Sequence, residues 1–349
     1  MCFLLCVQKM EEIVRILYTT LLALSSLASV SGNLLLLLLL LLNKELRTDT
    51  LGLTLSFSLS DLALGMFITP LGAYNGLTCL SGSNSGGPVC QGSAFVFVLL
   101  QTASIFSFNW MTVNRFTEIC FALSYDTIWT PGRRRAVLVL VWTLCFVMAA
   151  MPLLGFGTYV YSESRFLCCP SFTPDNRCFV AAWISVGVTI PIFSTCSLYG
   201  YMVYVARKQA RKGTFMCNEL HCFYVPANNF LRSSRVMITV SVCLLVCWLP
   251  YISVGLYETF SGVPSPAGVP ALSTWLVLSN AALNPWITCM TQTRYRATAC
   301  RLLGRIILCP RSKNLLEAHH QMSAFHLDPT ANAITTTTTS SPTPNTPAQ

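Results

Sequence analysis

The sequence predicts an all-α membrane protein: a bundle of seven transmembrane helices followed by a short amphipathic eighth helix. Three observations predict it. Of the 349 residues, 53% are hydrophobic and only 10% charged, whereas a soluble domain carries roughly 25% charged residues; such a chain cannot cover itself with a water-compatible surface. The apolar residues fall in seven runs, near 12–42, 50–78, 91–122, 136–160, 179–206, 235–259 and 269–291. Each is about 20 residues or longer, enough to cross roughly 30 Å of hydrocarbon, and in lipid such a run must satisfy its backbone internally as a helix. Finally, the basic residues are unevenly shared. Of 22 Lys and Arg, only Lys9, Arg15, Arg165 and Arg177 fall on one side of the membrane, and the rest sit in the opposite connections or the C-terminal segment. Positive charge stays cytoplasmic, which puts the N-terminus outside and the C-terminus inside, the parity of seven crossings. We therefore expect a plasma-membrane protein with a short outer N-terminus (1–11), a bundle (12–292), an amphipathic helix (293–309) and a disordered cytoplasmic tail (310–349).

The first run contains nine consecutive leucines, Leu34 to Leu42. It is too long for a signal-peptide core and lacks a small-residue cleavage site after it, so it reads as a retained anchor. The second run holds Asp61, the one acid deep in any run, in "SFSLSDLALGM". An ionisable group at membrane depth is costly and points to function. Asn33, Ser104, Asn280 and Asn284 are the polar groups that could gather near it, with Asn280 and Asn284 on one helix face at i, i+4. The plainer reading is polar glue between helices; the sharper one is a small hydrated cavity whose oxygens suit Na⁺ or a proton. Pro70, Pro152, Pro191, Pro250 and Pro285 lie inside runs, and each removes a backbone hydrogen bond.

Most of the 17 cysteines lie in apolar runs and act as small buried hydrophobes. Cys90, Cys168 and Cys169 fall on the oxidising outer side, where a bridge from Cys90 to one of the other two would pin the loop before the fifth run. Residue order alone does not decide between Cys168 and Cys169. A second bridge, Cys79 with Cys178, is weighed on the same grounds. On the inner side Cys300 and Cys309 flank "RLLGRIIL" and are palmitoylation candidates.

These residues resemble the rhodopsin-like (class A) G-protein-coupled receptors over about 12–310. The resemblance is carried by "GN" (Gly32-Asn33), "SLSD" (Asp61), Cys90 at the head of the third run and Arg115 at its foot, Trp142, Pro191 then Tyr199, "CWLP" (Cys247 to Pro250) and "NPWIT" (Asn284 to Thr288). All occur in family order, each in its own run. The resemblance implies coupling to heterotrimeric G proteins, with Asn114, Arg115, Tyr199, Trp248, Pro250, Asn284 and Pro285 as the activation switch. It also implies an allosteric Na⁺ near Asn33, Asp61, Ser104, Asn280 and Asn284, with no structural metal and no other cofactor.

The chain departs from the family where the switch is held. It reads "NRF" (Asn114 to Phe116) where the family has an acid before the arginine, and "NNFLRSSR" low in the sixth run supplies no acid. Arg115 thus lacks both charge partners, and we expect raised basal signalling, since a charge-assisted hydrogen bond is worth about 1.5–3 kcal/mol. Thr288 replaces the family's tyrosine and Leu244 an aromatic, which leaves room for a non-signalling scavenger or heterodimer partner.

By helical position the outer pocket is lined by Phe97, Gln101, Trp183, Gly187, Trp248, Tyr251, Ile252, Thr274, Trp275 and Leu278. Phe97 stands where amine receptors carry an acid, and Leu278 where visual opsins carry a lysine. The opsin-like phrase "MPLLGFGTYVYSE" therefore does not imply covalent retinal. The pocket suits a neutral or lipid-like small molecule anchored by Gln101, Thr274 and Tyr251. The Thr/Ser-rich tail is a candidate for receptor-kinase phosphorylation and arrestin recognition, and the scattered basic residues for anionic membrane lipid, not nucleic acid. A receptor dimer is a further partner to consider. A transporter would need repeats or several midplane charges. An enzyme would need a nucleophile–base arrangement, and the four histidines all lie outside the runs.

Overall fold

The computed structural model describes residues 2–46, 50–78, 87–212, 215–218, 221–224, 227–291 and 293–302. The first helix is Cys2–Leu42, and it contains no proline to interrupt it. The second span is Leu51–Ala63 and Thr69–Thr78, joined by a π-helical stretch, Leu64–Ile68. The third is Pro88–Cys120 and the fourth Pro131–Ala150. The fifth is Arg177–Ala182 and Ile190–Lys212, joined by a second π-helical stretch, Trp183–Thr189. Ala227–Ser261 and Val269–Thr291 form the sixth and seventh, and Thr293–Leu302 is a further helix.

The spans close into a ring with the third inside it. The first packs on the second and seventh, the second on the third, the third on the fourth and fifth, the fifth on the sixth, and the sixth on the seventh. Close approach of the first and seventh spans requires Gly32, where a Cβ would sit 2.9 Å from Pro285 Cγ; small residues admit such contacts in membranes. Five described helices are long and apolar enough to cross a membrane by length and composition: Arg15–Leu42, Leu51–Leu77, Pro88–Cys120, Pro174–Lys208 and Met237–Ser261. The fourth is a shorter helix whose first turns carry Arg133, Arg134 and Arg135.

Two prolines are handled by widening the helix before them. Pro70 and Pro191 each follow a π-helical stretch. A proline gives no N–H to the turn below it, and the wide turn re-routes those bonds; at the first, Thr69 Oγ1 donates to the Leu64 carbonyl at 3.1 Å. Pro152 acts differently from the kink expected of it. It ends the fourth helix, which stops at Ala150 instead of running to 160, and Pro152–Leu154 forms a 3-10 turn closed by Gly155 at φ +90°. The chain then turns back as a hairpin, β1 (Tyr159–Ser162) against β2 (Leu167–Pro170), pairing Tyr161 with Cys168 and Val160 with Cys169.

The basic stretch between the fifth and sixth runs, 207–234, is mostly structured: the fifth helix runs to Lys212, an antiparallel hairpin pairs Phe215–Asn218 with His221–Tyr224, and the sixth helix begins at Ala227.

Buried Asn176 clamps the first hairpin to the fifth span. Its Nδ2 donates to the Ser171 carbonyl (2.8 Å) and the Thr158 carbonyl (3.3 Å), and its Oδ1 accepts from Thr158 N (3.1 Å). Gly157, at φ +139°, passes beneath it where a Cβ would lie 2.9 Å from Phe179. Asn176→Ala would strand these backbone groups, and a buried group left unsatisfied costs about 1–3 kcal/mol. We expect a lowered thermal midpoint of the detergent-solubilised protein; an unchanged midpoint would show that the clamp is not needed.

Candidate functional site

Three sets of residues are stacked along the bundle axis. In the middle is Asp61, 1% exposed. Ser104 Oγ donates to its Oδ1 at 2.7 Å, and Asn284 Nδ2 donates to its Oδ2. The second, third and seventh spans thus meet at one carboxylate. Asn33 stands one step away: its Nδ2 donates to the Ser29 and Ala281 carbonyls (2.9 and 3.0 Å), while Ser29 Oγ donates to the Asp61 carbonyl at 3.0 Å. Asn280 does not reach Asp61. It lines a cavity of about 10 Å³ together with Ser104, Asn284, Thr195 and Phe108, which is room for roughly one water-sized occupant. Among the described residues, Asn33 Oδ1 and Asn280 Oδ1 are buried without a hydrogen-bond partner. The Ser104 and Asn280 side chains line this small void and the Asp61 carboxylate lies one hydrogen bond behind Ser104; oxygen groups of this kind suit a hard cation.

Trp142 holds this layer from outside. Its Nε1 donates to Ser56 Oγ at 3.0 Å, and Ser56 Oγ pairs with Ser107 Oγ at 2.9 Å.

At the Arg115 end, among the described residues, Arg115 is half-buried and has no carboxylate within ion-pair distance. Asn114, 3% exposed, spends its side chain on the loop that follows the third span. Its amide and the Tyr125 hydroxyl each donate to the other, Asn114 Nδ2 to Tyr125 Oη at 3.1 Å and Tyr125 Oη to Asn114 Oδ1 at 3.3 Å. Thr117 Oγ1 donates to the Asn114 carbonyl at 2.7 Å and receives Trp129 Nε1 at 2.5 Å. The loop after the third span is thereby buttoned onto its last turns. Asn114 and Trp129 also line a cavity of about 350 Å³ with Thr50, Arg134, Arg135 and Leu138. Tyr199 is buried, edge-on to Phe108 at 6.4 Å. The positions of Thr288 and of Asn228, Asn229 and Phe230 lie within the seventh and sixth helices.

At the disulfide end, Phe97, Gln101, Trp183, Trp248, Tyr251, Thr274 and Leu278 are all buried. Tyr251 is the hub, edge-on to Trp183 (6.2 Å), Trp248 (6.3 Å) and Phe172 (5.8 Å). Ile252 and Trp275 pack at the margin of this core. Trp183 Nε1 reaches Thr102 Oγ1 at 3.3 Å and Trp275 Nε1 reaches Ser25 Oγ at 3.2 Å. Thr274 spends its hydroxyl on the Pro270 carbonyl at 2.8 Å. Gly187 faces Trp183 and Met148 of the fourth span. Among the described residues, Gln101 Nε2, Trp248 Nε1 and Tyr251 Oη are buried without a hydrogen-bond partner.

Cys90 is bonded to Cys168, so Cys168 and not Cys169 is its partner. Side chains alternate across a strand, so neighbouring Cys169 points the other way as a buried free thiol, where burial raises its pKa to about 11. Cys178 is an exposed free thiol, and Cys79 lies outside the described residues. Cys300 falls in the helix Thr293–Leu302, while Cys309 and the tail lie outside the described residues.

Sequence reasoning missed Tyr125, Phe172 and an ion pair between Arg165 and Glu258. Glu258 did leave a signal, as an acid in the last turns of an otherwise apolar run. Its partner, 93 residues away, left none.

Residues 32–287 match the family model of the 7 transmembrane receptor (rhodopsin family). The chain is 24% identical to adenosine receptor A3 of Ovis aries over 311 residues, covering 88% of this chain and 95% of that receptor. It is 25% identical to the histamine H2 receptor of Homo sapiens over 299 residues (83% and 82%). It is 27% identical to melatonin receptor type 1A of Mus musculus over 277 residues (79% and 74%).

Proposed function

The chain belongs to the rhodopsin family of seven-transmembrane receptors, signals through heterotrimeric G proteins as that family does, and is not an enzyme; from this premise we propose what it senses and how it is held. The disulfide end faces outside and the Arg115 end faces the cytoplasm, a reading supported by the distribution of Lys and Arg. The G protein docks at the Arg115 end, and the phosphorylated tail is the arrestin site.

The ligand is a neutral or lipid-like small molecule that carries hydrogen-bond acceptors. The observation that carries this is the trio of buried donors, Gln101 Nε2, Trp248 Nε1 and Tyr251 Oη, which have no partner among the described residues. Buried donors are almost always paired, and an uncharged acceptor would pair them. Phe97 supplies no carboxylate for a cationic amine. The relatives named for adenosine, histamine and melatonin are about equally similar and single out no ligand class, so the reading rests on the pocket residues. A G-protein dissociation panel in cells, first without ligand and then with a library of neutral and lipid compounds, tests this. Activation by a primary amine that fails on Gln101→Leu would overturn it. Silence on every G protein would instead favour the non-signalling reading that Thr288 and Asn114 raise.

Na⁺ binds beside Asp61 in the resting state, held by Asp61, Ser104 and Asn280. A cation that binds one state shifts the equilibrium only by its differential affinity. Replacing Na⁺ by choline is therefore expected to raise ligand-independent nucleotide exchange in wild-type membranes, and Asp61→Asn to abolish that response. Equal Na⁺ sensitivity in the variant would reject the site.

A further inference from the structure

The hairpin between the fourth and fifth spans places a charge inside the protein. Arg165, in its turn, is 3% exposed. Its Nη2 donates to Glu258 Oε2 at 2.5 Å, and Glu258, 7% exposed, also accepts Ser265 N on Oε1 at 3.1 Å. The guanidinium lies over the Phe172 ring at 4.2 Å. Phe172 in turn meets Tyr251, and Tyr251 meets Trp248. A continuous line of contacts therefore runs from the loop to the buried aromatic cluster at Trp248.

The loop is held on every side. Cys168 is bonded to Cys90 of the third span. Tyr18 Oη donates to the Arg165 carbonyl at 3.1 Å, and Asn75 Nδ2 donates to the Phe166 carbonyl at 3.2 Å, tying the turn to the first and second spans. Phe166 adopts φ +54° to make this turn. The sixth span has a seat for Phe172: a Cβ at Gly255 would lie 2.6 Å from the Phe172 ring.

Stability does not account for the ion pair. Removing two charges from water costs about as much as their attraction returns, and apolar residues of the same volume often serve as well. What the pair does is fix position, and the position is mechanically telling. Glu258 lies eight residues beyond Pro250, about 12 Å along the helix. Pro250 cannot donate to the turn below it, which makes it the natural pivot of the sixth span. A rigid lever pivoting at Pro250, drawn inward at its Glu258 end, would swing its other arm outward.

We propose that Arg165 and Phe172 form a built-in ligand: the loop fills the mouth of the pocket and, through Glu258, biases the receptor toward its signalling state. This rests on the outer pocket and the ligand-independent activity argued above. The test is G-protein dissociation without added ligand, at matched surface display, for wild type, Arg165→Gln, Glu258→Gln and the exchange Arg165→Glu with Glu258→Arg. Each single substitution is expected to lower the wild-type signal at least threefold, and the exchange to restore at least half of it. Single variants that signal like wild type, or more strongly, overturn the built-in ligand while leaving basal activity standing. A wild-type signal at the level of mock-transfected cells refutes the basal-activity reading itself. If the charge variants do not reach the surface, Gly255→Ala decides: it unseats Phe172 without touching the charges, and a signal equal to wild type rejects the proposal.

Discussion

Replacing Cys90 with serine is expected to remove most of the receptor from the cell surface and to lower the thermal midpoint of what remains. The bond to Cys168 spans 78 residues, and closing a loop of that length withdraws on the order of 4 kcal/mol of chain entropy from the unfolded state. Losing it also frees β2, which carries Phe172 and Arg165 into the bundle. Cys168→Ser should match Cys90→Ser, whereas Cys169→Ser, which removes a buried free thiol from the other face of the strand, should stay near wild type. Surface labelling against total protein, with a thermal midpoint in detergent, reads the difference. If Cys169→Ser is as damaging as Cys90→Ser, the pairing assigned to this loop is wrong.

Asn114→Asp is expected to lower ligand-independent signalling about tenfold, since a charge-assisted hydrogen bond of about 1.5 kcal/mol or more shifts a two-state equilibrium by that factor. Asn114 is buried and exchanges hydrogen bonds with Tyr125, while Arg115 has no acid among the described residues. An aspartate there could still accept the Tyr125 hydroxyl, but its charge would be buried, and the long Arg115 side chain is the nearest cation along the helix. The guanidinium would then be restrained as an acid restrains it elsewhere in the family. Tyr125→Phe separates the two roles of Asn114: it loosens the loop without adding charge and should leave basal signalling close to wild type. A signal from Asn114→Asp equal to wild type would remove the absent acid as the cause of basal activity.

The bundle was legible because lipid imposes a crude and strong code. Apolar runs of sufficient length, an arginine at the foot of the third and a lone acid in the second are visible without any knowledge of contacts. The groups around Asp61 were legible for the same reason, since polar atoms at membrane depth must find one another; Ser104 and Asn284 did, and Asn33 turned to backbone carbonyls instead. What stayed hidden depends on side-chain direction. Cys168 and Cys169 differ only by strand alternation. Asn114 has an acid's place but turns to a loop tyrosine eleven residues on. The fourth helix stopped ten residues early because Pro152 and Gly155 act together, although each sits in an apolar phrase. Arg165 and Glu258 find one another only after the hairpin has folded.

The two wide turns ahead of Pro70 and Pro191 have a consequence for comparing this receptor with its relatives. A π turn holds one more residue than the regular turn it replaces, and one residue is about 100° of rotation. Everything on the Trp183 side of the fifth span is therefore phased differently from what counting outward from Pro191 would give. A chimera that takes this half-helix from a receptor without the insertion would carry the right residues on the wrong azimuth, and Trp183 would point away from Tyr251 though no contact residue had been changed.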